Sequence, residues 1–381
     1  MSDDAVRALI RARTPEALAE LCAYAPDPVV VPVRLDANEA PALLPTLSPE
    51  ERACWEQAAR AVEPARYPDV RATALRALLS ERLHVSPDQL VLGVGSDEVI
   101  AILLATLARS LDGRPPCILV PGPTFVMYRI SARVHGFDVV SVPLDRDWDL
   151  DEPRMLEAIR AHRPAVVFLA TPNNPTSGAY DRDKVARIVE QAGRNDPPTV
   201  VVIDEAYLPF RLAGDDPWKG ETGLDFLRRD PHVVVLRTLS KIGLAALRVG
   251  WAVAHPLLAA EMEKVRLPYN LPTPSQSLAA CALGPLSTAL DRHVAAVARE
   301  RARLLDELRR HPRASFGRTD ANFVWLALDG VTGAEVTTSL KARGVLVRNF
   351  AAHPDRIRVS VGTRAESDAF LAALAATLEA R

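Results

Sequence analysis

Seven short apolar runs through the middle of the chain constrain its fold more than any other feature. They read QLVLGV, CILVP, DVVSVPL, AVVFLA, TVVVID, HVVVLR and WAVA, and they lie between residues 89 and 254. Each is rich in β-branched residues and too short for a buried helix. Between most of them lie segments with helical spacing, at 97–109, 124–135, 153–162 and 181–193. Strands that alternate with helices argue for an α/β fold: a mainly parallel seven-stranded sheet sandwiched by helices.

The flanks read differently. Residues 1–45 look like a helix followed by a Pro-rich arm, and helical patterns follow at 49–62 and 70–83. Beyond the alternation come helices at 256–266 and 275–311, the second interrupted near Gly284 and Pro285. NFVWLAL, a helix at 333–343, VLVR, RIRVSV and a last helix at 365–380 suggest a smaller α+β domain built from both termini. The expected division is an arm and part of the small domain at 1–45, a large domain at 46–275 and a small C-terminal domain at 276–381.

Composition removes several function classes. A net charge of −2 offers no basic patch for nucleic acid. No apolar run approaches the ~20 residues that span a bilayer. Cys22, Cys54, Cys117 and Cys281 are far apart and form no CxxC pair, which argues against a zinc site or a disulfide framework. The eight histidines, His135 and His353 among them, show no ligand spacing. The opening MSDDAVRALIRAR is charged and lacks a signal-peptide core. A reduced, cytoplasmic, soluble protein without a metal is expected.

In an open α/β sheet, ligands bind beyond the carboxyl ends of the strands. Five of these ends carry small, polar or Pro-rich loops: GSDE (95–98), PGPTFVMY (121–128), TPNNPTSG (171–178), DEAY (204–207) and TLSK (238–241). Lys241 stands out, because the chain has only five lysines and this one lies in an apolar setting. Desolvation lowers a lysine pKa and makes its neutral amine a nucleophile toward carbonyls. Asp204, at the end of TVVVID, suits the pairing of a protonated pyridine nitrogen; a helix cap is its ordinary alternative. Ser96 and Asp97 open a helix whose free N–H groups suit an anion. Thr238, Ser240 and Arg248 surround Lys241 and suit a phosphate. Phe125 could stack on a planar ring, and Asn174 and Tyr207 could bond a phenolic oxygen; core packing and a plain Asn-Pro turn are the alternatives. Only Gly93 and Gly95 match GxGxxG, which speaks against a dinucleotide enzyme.

The order of GSDE, PTFVMY, PNNPTSG, IDEAY, TLSKIGLAALRVG and RIRVSVG resembles the fold-type I, pyridoxal-phosphate-dependent aminotransferases over nearly the whole chain. LDANEAP, ARYPD, KVRLPYNLP and GVLVRNF are similar to the histidinol-phosphate aminotransferase branch. The resemblance implies that Lys241 carries the cofactor and moves the proton, that Asp204 pairs with the pyridine nitrogen, and that Asn174 and Tyr207 contact the ring oxygen. It implies that Phe125 stacks on the ring, and that Ser96, Asp97, Thr238, Ser240 and Arg248 lie around the phosphate. Tyr67 would reach the phosphate of a second subunit, which implies a homodimer with shared sites. Arg358 would grip the donor's α-carboxylate, and Tyr24, Asn38, Tyr269, Asn322 and Arg348 would line the substrate pocket, Arg348 facing a substrate phosphate. The partners implied are a small-molecule amino donor and a 2-oxo acid.

The chain departs from the branch at Ser177, where NPTG has its glycine, at Ala40, at Asp27 and at Phe125, where a tyrosine is common. These positions bear on the substrate and leave Lys241 and Asp204 untouched. The implied reaction is L-histidinol phosphate with 2-oxoglutarate, giving imidazole acetol phosphate and glutamate. An aromatic amino-acid aminotransferase and a phosphothreonine-type decarboxylase are the other readings on the same fold.

Overall fold

The first strand, β1 (Val33–Arg34), stands apart from the apolar runs, each of which becomes a strand: β2 (Leu90–Val94), β3 (Cys117–Gly122), β4 (Asp138–Pro143), β5 (Val166–Ala170), β6 (Val200–Asp204), β7 (Val233–Thr238) and β8 (Val249–Val253). The computed structural model describes residues 3–14, 27–111, 113–211, 218 and 221–379. The seven strands form one sheet in the order β2-β8-β7-β6-β5-β3-β4. All neighbours are parallel except at β8, which runs antiparallel to both β2 and β7. Residues 239–248 explain the exception, since they are too few for a crossover and turn the chain straight back.

Strands β5, β6, β7 and β8 are buried at every residue, as expected of a sheet covered on both faces. Alternate side chains divide between two apolar layers. Val167, Leu169, Val201, Ile203, Val233 and Val235 face one layer. Val166, Phe168, Val200, Val202, Val234 and Leu236 face the other, where Val99, Leu103, Tyr128 and Met262 meet them. β4 lies at the edge, is partly exposed, and ends on Pro143.

Most helices match their expected places within a turn. The run expected at 275–311 is two helices, Thr273–Leu283 and Ser287–Arg309, parted at Gly284. Ser48 and Thr332 close capping boxes with Glu51 and Glu335, and Asp151 and Asp181 cap the helices that follow them. The helix Gly95–Thr106 has no side-chain cap.

A second sheet, antiparallel in the order β12-β13-β10-β9, is built from β9 (Ala314–Phe316), β10 (Phe323–Leu328), β12 (Arg348–Asn349) and β13 (Arg356–Ser360). The run VLVR serves two sheets, because β11 (Val345–Leu346) pairs in parallel with β1 while Arg348 pairs with Arg358. The N-terminal arm is thereby tied to the C-terminal part of the chain. Asp27 adds an ion pair to Lys341 at 2.7 Å. No described helix is long and apolar enough to cross a membrane, and no cluster of metal-ligating side chains is found among the described residues.

Candidate active site

The carboxyl ends of β5, β6 and β7 and the start of the helix Gly95–Thr106 surround a cleft of about 500 Å³. Ser96, Asp97, Phe125, Asn174, Asp204, Tyr207, Ser240, Lys241 and Arg248 line it, with Tyr128, Ala170, Pro172 and Ala206. Residues that span Ser96 to Arg248 meet here because parallel strands deliver all their carboxyl ends to one rim.

Asp204 ends β6 and is 5% exposed. The Tyr128 hydroxyl donates to its Oδ2 at 2.6 Å, and the Ala206 N–H donates to Oδ1 at 3.0 Å. Burial pushes its pKa up to about 6, against the opposing pull of those two hydrogen bonds. Burial also drives the Tyr128 phenol well above its usual range, so its proton stays available for donation.

Lys241 is half-buried, not buried as the apolar context suggested. The reason is its place in the turn beyond β7, on the open side of the cleft. Its ammonium lies 5.9 Å from the centre of the Tyr207 ring. The Tyr207 hydroxyl accepts from Asn38 Nδ2 at 3.0 Å.

At the other end of the cleft the donors converge. The helix Gly95–Thr106 turns its first N–H groups toward it, and these have no intrahelical partner. Gly95 has φ +76°, and its N–H donates to the Arg248 carbonyl at 2.9 Å. A Cβ at Gly250 would lie 2.3 Å from the Ser96 nitrogen, so only glycine lets β8 approach the helix start this closely. The Thr238 hydroxyl is 2.9 Å from Ser240 Oγ, and the Arg248 guanidinium reaches Ser240 Oγ at 3.3 Å and Asp97 at 3.4 Å.

Residues 32–374 match the family described as aminotransferase class I and II. The chain belongs to that family. Histidinol-phosphate aminotransferase 2 of Nitrosococcus oceani is 38% identical over 90% of this chain and 91% of its own length. Histidinol-phosphate aminotransferase of Paracidovorax citrulli is 38% identical over 99% of this chain and 100% of its own. Among solved structures, histidinol-phosphate aminotransferase from Sinorhizobium meliloti in complex with pyridoxal-5′-phosphate superposes with a TM-score of 0.80. It is 23% identical and covers 97% of this chain and 98% of its own, a likeness of fold.

The cofactor of such an aminotransferase is pyridoxal 5′-phosphate, and the cleft fits it on three counts. An uncapped helix start beside two hydroxyls and a guanidinium forms a donor set for a phosphate. A buried carboxylate with a raised pKa accepts a pyridinium N–H. A primary amine stands at the next strand end, within reach of an aldehyde.

Other residues named from the sequence of this aminotransferase lie differently. Asn38 and Asn322 do not line the cleft, being 1% and 0% exposed. They form a buried chain in which Asn322 Nδ2 donates to the Asn38 carbonyl at 3.1 Å and Asn38 in turn holds Tyr207. Thr238 sits behind Ser240 for the same reason, burial by β8. Arg358 is buried and reaches the cleft rim, donating to Asn174 Oδ1 at 2.7 Å and to the Asp36 carbonyl at 2.6 Å. Arg348 lies directly across from it on β12. Tyr67 and Tyr269 lie away from this chain's cleft, stacked on each other at 4.7 Å and exposed. Tyr24 lies outside the described residues.

Two polar residues of the site were missed. Tyr128 follows Phe125 by three positions, and a buried tyrosine on a helix needs a hydroxyl partner, a signal the sequence offered. Asn173 is fully buried; its Nδ2 donates to the Pro123 carbonyl at 2.9 Å, and Thr124 donates to its Oδ1 at 2.8 Å, tying the Phe125 loop to the Asn174 loop.

Proposed function

We propose that the chain transfers the amino group of L-histidinol phosphate to 2-oxoglutarate, yielding imidazole acetol phosphate and glutamate, with pyridoxal phosphate as cofactor. The observation that carries this reading is the convergence of Lys241, Asp204 and an anion-binding end in one cleft of an aminotransferase. The relatives' names supply the substrate.

When bound, pyridoxal phosphate supplies a pyridinium that takes up the electron pair of the donor's broken C–H bond. Lys241 Nζ would hold the cofactor's aldehyde, and as a free amine it would carry the proton taken from the donor's Cα. Asp204 keeps the ring nitrogen protonated. Tyr207 accepts from Asn38, which leaves its own proton to donate to the ring oxygen; Asn174 donates to the same atom. Phe125 covers the ring face. The backbone N–H groups of Ser96 and Asp97, with Ser240 and Arg248 backed by Thr238, would hold the phosphate. Arg358 would bind the α-carboxylate of 2-oxoglutarate or glutamate bidentately, L-histidinol phosphate having none, and Arg348, across the strand pair, would take that donor's phosphate.

The chain works as a cytoplasmic homodimer with shared sites. Tyr67, Val70, Leu267 and Tyr269 are 82%, 39%, 68% and 45% exposed, an apolar surface that supports a subunit contact. From it Tyr67 reaches the phosphate end of the other subunit's cleft. The large unit at 46–275 holds the cofactor, and the arm at 1–45 joins the small unit at 276–381.

The test is the visible absorbance of purified enzyme mixed with L-histidinol phosphate, then with 2-oxoglutarate. The band falls with the donor and returns with the acceptor. A band that neither substrate moves overturns the assigned substrate. Lys241→Ala abolishes turnover; retained turnover overturns the role of Lys241.

A further inference from the structure

The Asp204 carboxylate has more than one place to turn. Lys241 stands at the next strand end and is attracted to it. An ion pair between the two would use up both the carboxylate and the amine that the reaction needs apart. The structure holds the carboxylate elsewhere, and the group that does so is Tyr128.

Tyr128 lies in the first turn of the helix Met127–Val134 and is 0% exposed. Its ring stacks on Phe168 of β5, with centroids 4.5 Å apart and planes 11° apart, and the Phe125 edge meets it at 5.4 Å. Rings on two sides pack the buried phenol in place. Its hydroxyl is therefore fixed, and it donates to Asp204 Oδ2 at 2.6 Å, a length typical of a bond to an ionised acceptor. The Ala206 N–H fixes the other oxygen. Each carboxylate oxygen has two acceptor sites, so one on each remains for a donor in the cleft.

We propose that Tyr128 is a positioning residue, which acts through Asp204 by fixing the carboxylate's rotation away from Lys241 and favouring its ionised form opposite the cofactor's ring nitrogen. This rests on the cofactor reading of the cleft given above. A buried carboxylate without that hydroxyl would hold its proton to higher pH, since burial already acts in that direction. A protonated Asp204 cannot stabilise a pyridinium, and the ring then withdraws electrons less well. A tyrosine that served only to pack against Phe168 would need no hydroxyl.

The test is Tyr128→Phe in the holoenzyme, which keeps the ring stack and removes one oxygen. The expected result is a kcat lower by about tenfold or more, with the donor KM within about threefold, because the loss falls on the ring's electron demand and not on substrate binding. The acid limb of the kcat profile moves up by about one pH unit. Cofactor affinity falls about tenfold. The same two proteins are then loaded with a pyridoxal phosphate analogue that has carbon in place of the ring nitrogen. That analogue offers Asp204 no N–H, so the affinity difference between the two proteins closes. If Tyr128→Phe matches the parent in acid limb and cofactor affinity, the proposal is overturned while the parent's turnover leaves the cofactor reading standing. If the affinity difference persists with the carbon analogue, Tyr128 acts by packing and the proposal is overturned. If the parent itself shows no cofactor band and no turnover, the reading of the cleft falls, and the proposal with it.

Discussion

The Arg358 guanidinium donates to Asn174 Oδ1 at 2.7 Å, joining residues 184 positions apart. A strand of the small sheet thereby reaches the loop that borders the cleft of the large one. In the proposed function Arg358 serves a substrate carboxylate while it steadies Asn174, a side chain that lines the cleft.

Arg358→Ala therefore affects two readouts unequally. In the proposed reaction a charged, bidentate contact to the acceptor's α-carboxylate contributes about 2–3 kcal/mol, so the KM for 2-oxoglutarate rises about 30- to 160-fold. The lost bond to Asn174 weakens cofactor binding by about fivefold. Steady-state kinetics beside a cofactor titration checks the ratio; a normal 2-oxoglutarate KM would place the carboxylate site elsewhere.

Asp204 links stability to pH. Burial holds its folded pKa at about 6, above the ordinary value of 3.8. Between these values the folded, cofactor-free chain holds more protons than the unfolded chain. The contribution of Asp204 to stability is thus fully present below about pH 4, falls by at most about 3 kcal/mol as pH rises through 6, and is level above. Denaturant unfolding of the parent and of Asp204→Asn from pH 4 to 7 measures this as the difference in slope between the two proteins.

Gly250→Ala tests the anion end. The added Cβ would meet the Ser96 nitrogen at 2.3 Å, and the neighbour there is backbone, which cannot swing away. β8 and the helix start must separate, so the N–H groups leave the phosphate. Cofactor affinity drops by about tenfold or more, read by equilibrium dialysis.

Ser177 occupies the position where a glycine is common, with φ +68°, and its Oγ donates to the Phe323 carbonyl at 2.6 Å. Ser177→Ala keeps the strained backbone and loses the bond, costing about 1–2 kcal/mol. Ser177→Gly loses the bond and relieves about 1 kcal/mol of left-handed strain, so its net cost is about 0–1 kcal/mol. Unfolding midpoints should rank the glycine variant above the alanine variant.

Arg237 and Glu205 form a buried ion pair at 2.8 Å, 4% and 2% exposed. Glu205 Oε1 also accepts from the Gly223 N–H. Arg237→Leu strands a buried carboxylate and destabilises by about 3–5 kcal/mol, while the double change Arg237→Leu with Glu205→Leu recovers much of that. Chemical denaturation of both variants decides it.

How much of this was legible in the sequence varies with the range of the cause. The strands of the large sheet were legible because each has a short apolar, mostly β-branched core, a property of adjacent residues. The cleft residues at strand ends were legible for the same reason: a strand's end is marked locally, and parallel packing gathers such ends on one rim. What depended on partners distant in sequence was not. Cys54 and Cys281 look unrelated in sequence, yet their sulfurs lie 3.7 Å apart. Asn38 and Asn322 look like pocket residues, and folding buries them as a relay behind Tyr207.

The sequence by itself determined the α/β alternation, the order of the loops at the cleft and the chemical types offered there, all carried by local pattern. Tertiary structure alone decided the direction of β8, the half-exposure of Lys241, the clamp of Tyr128 on Asp204 and the reach of Arg358 to Asn174. Each of these is a contact between side chains or strands whose distance is set by packing, and packing is a property of the whole fold.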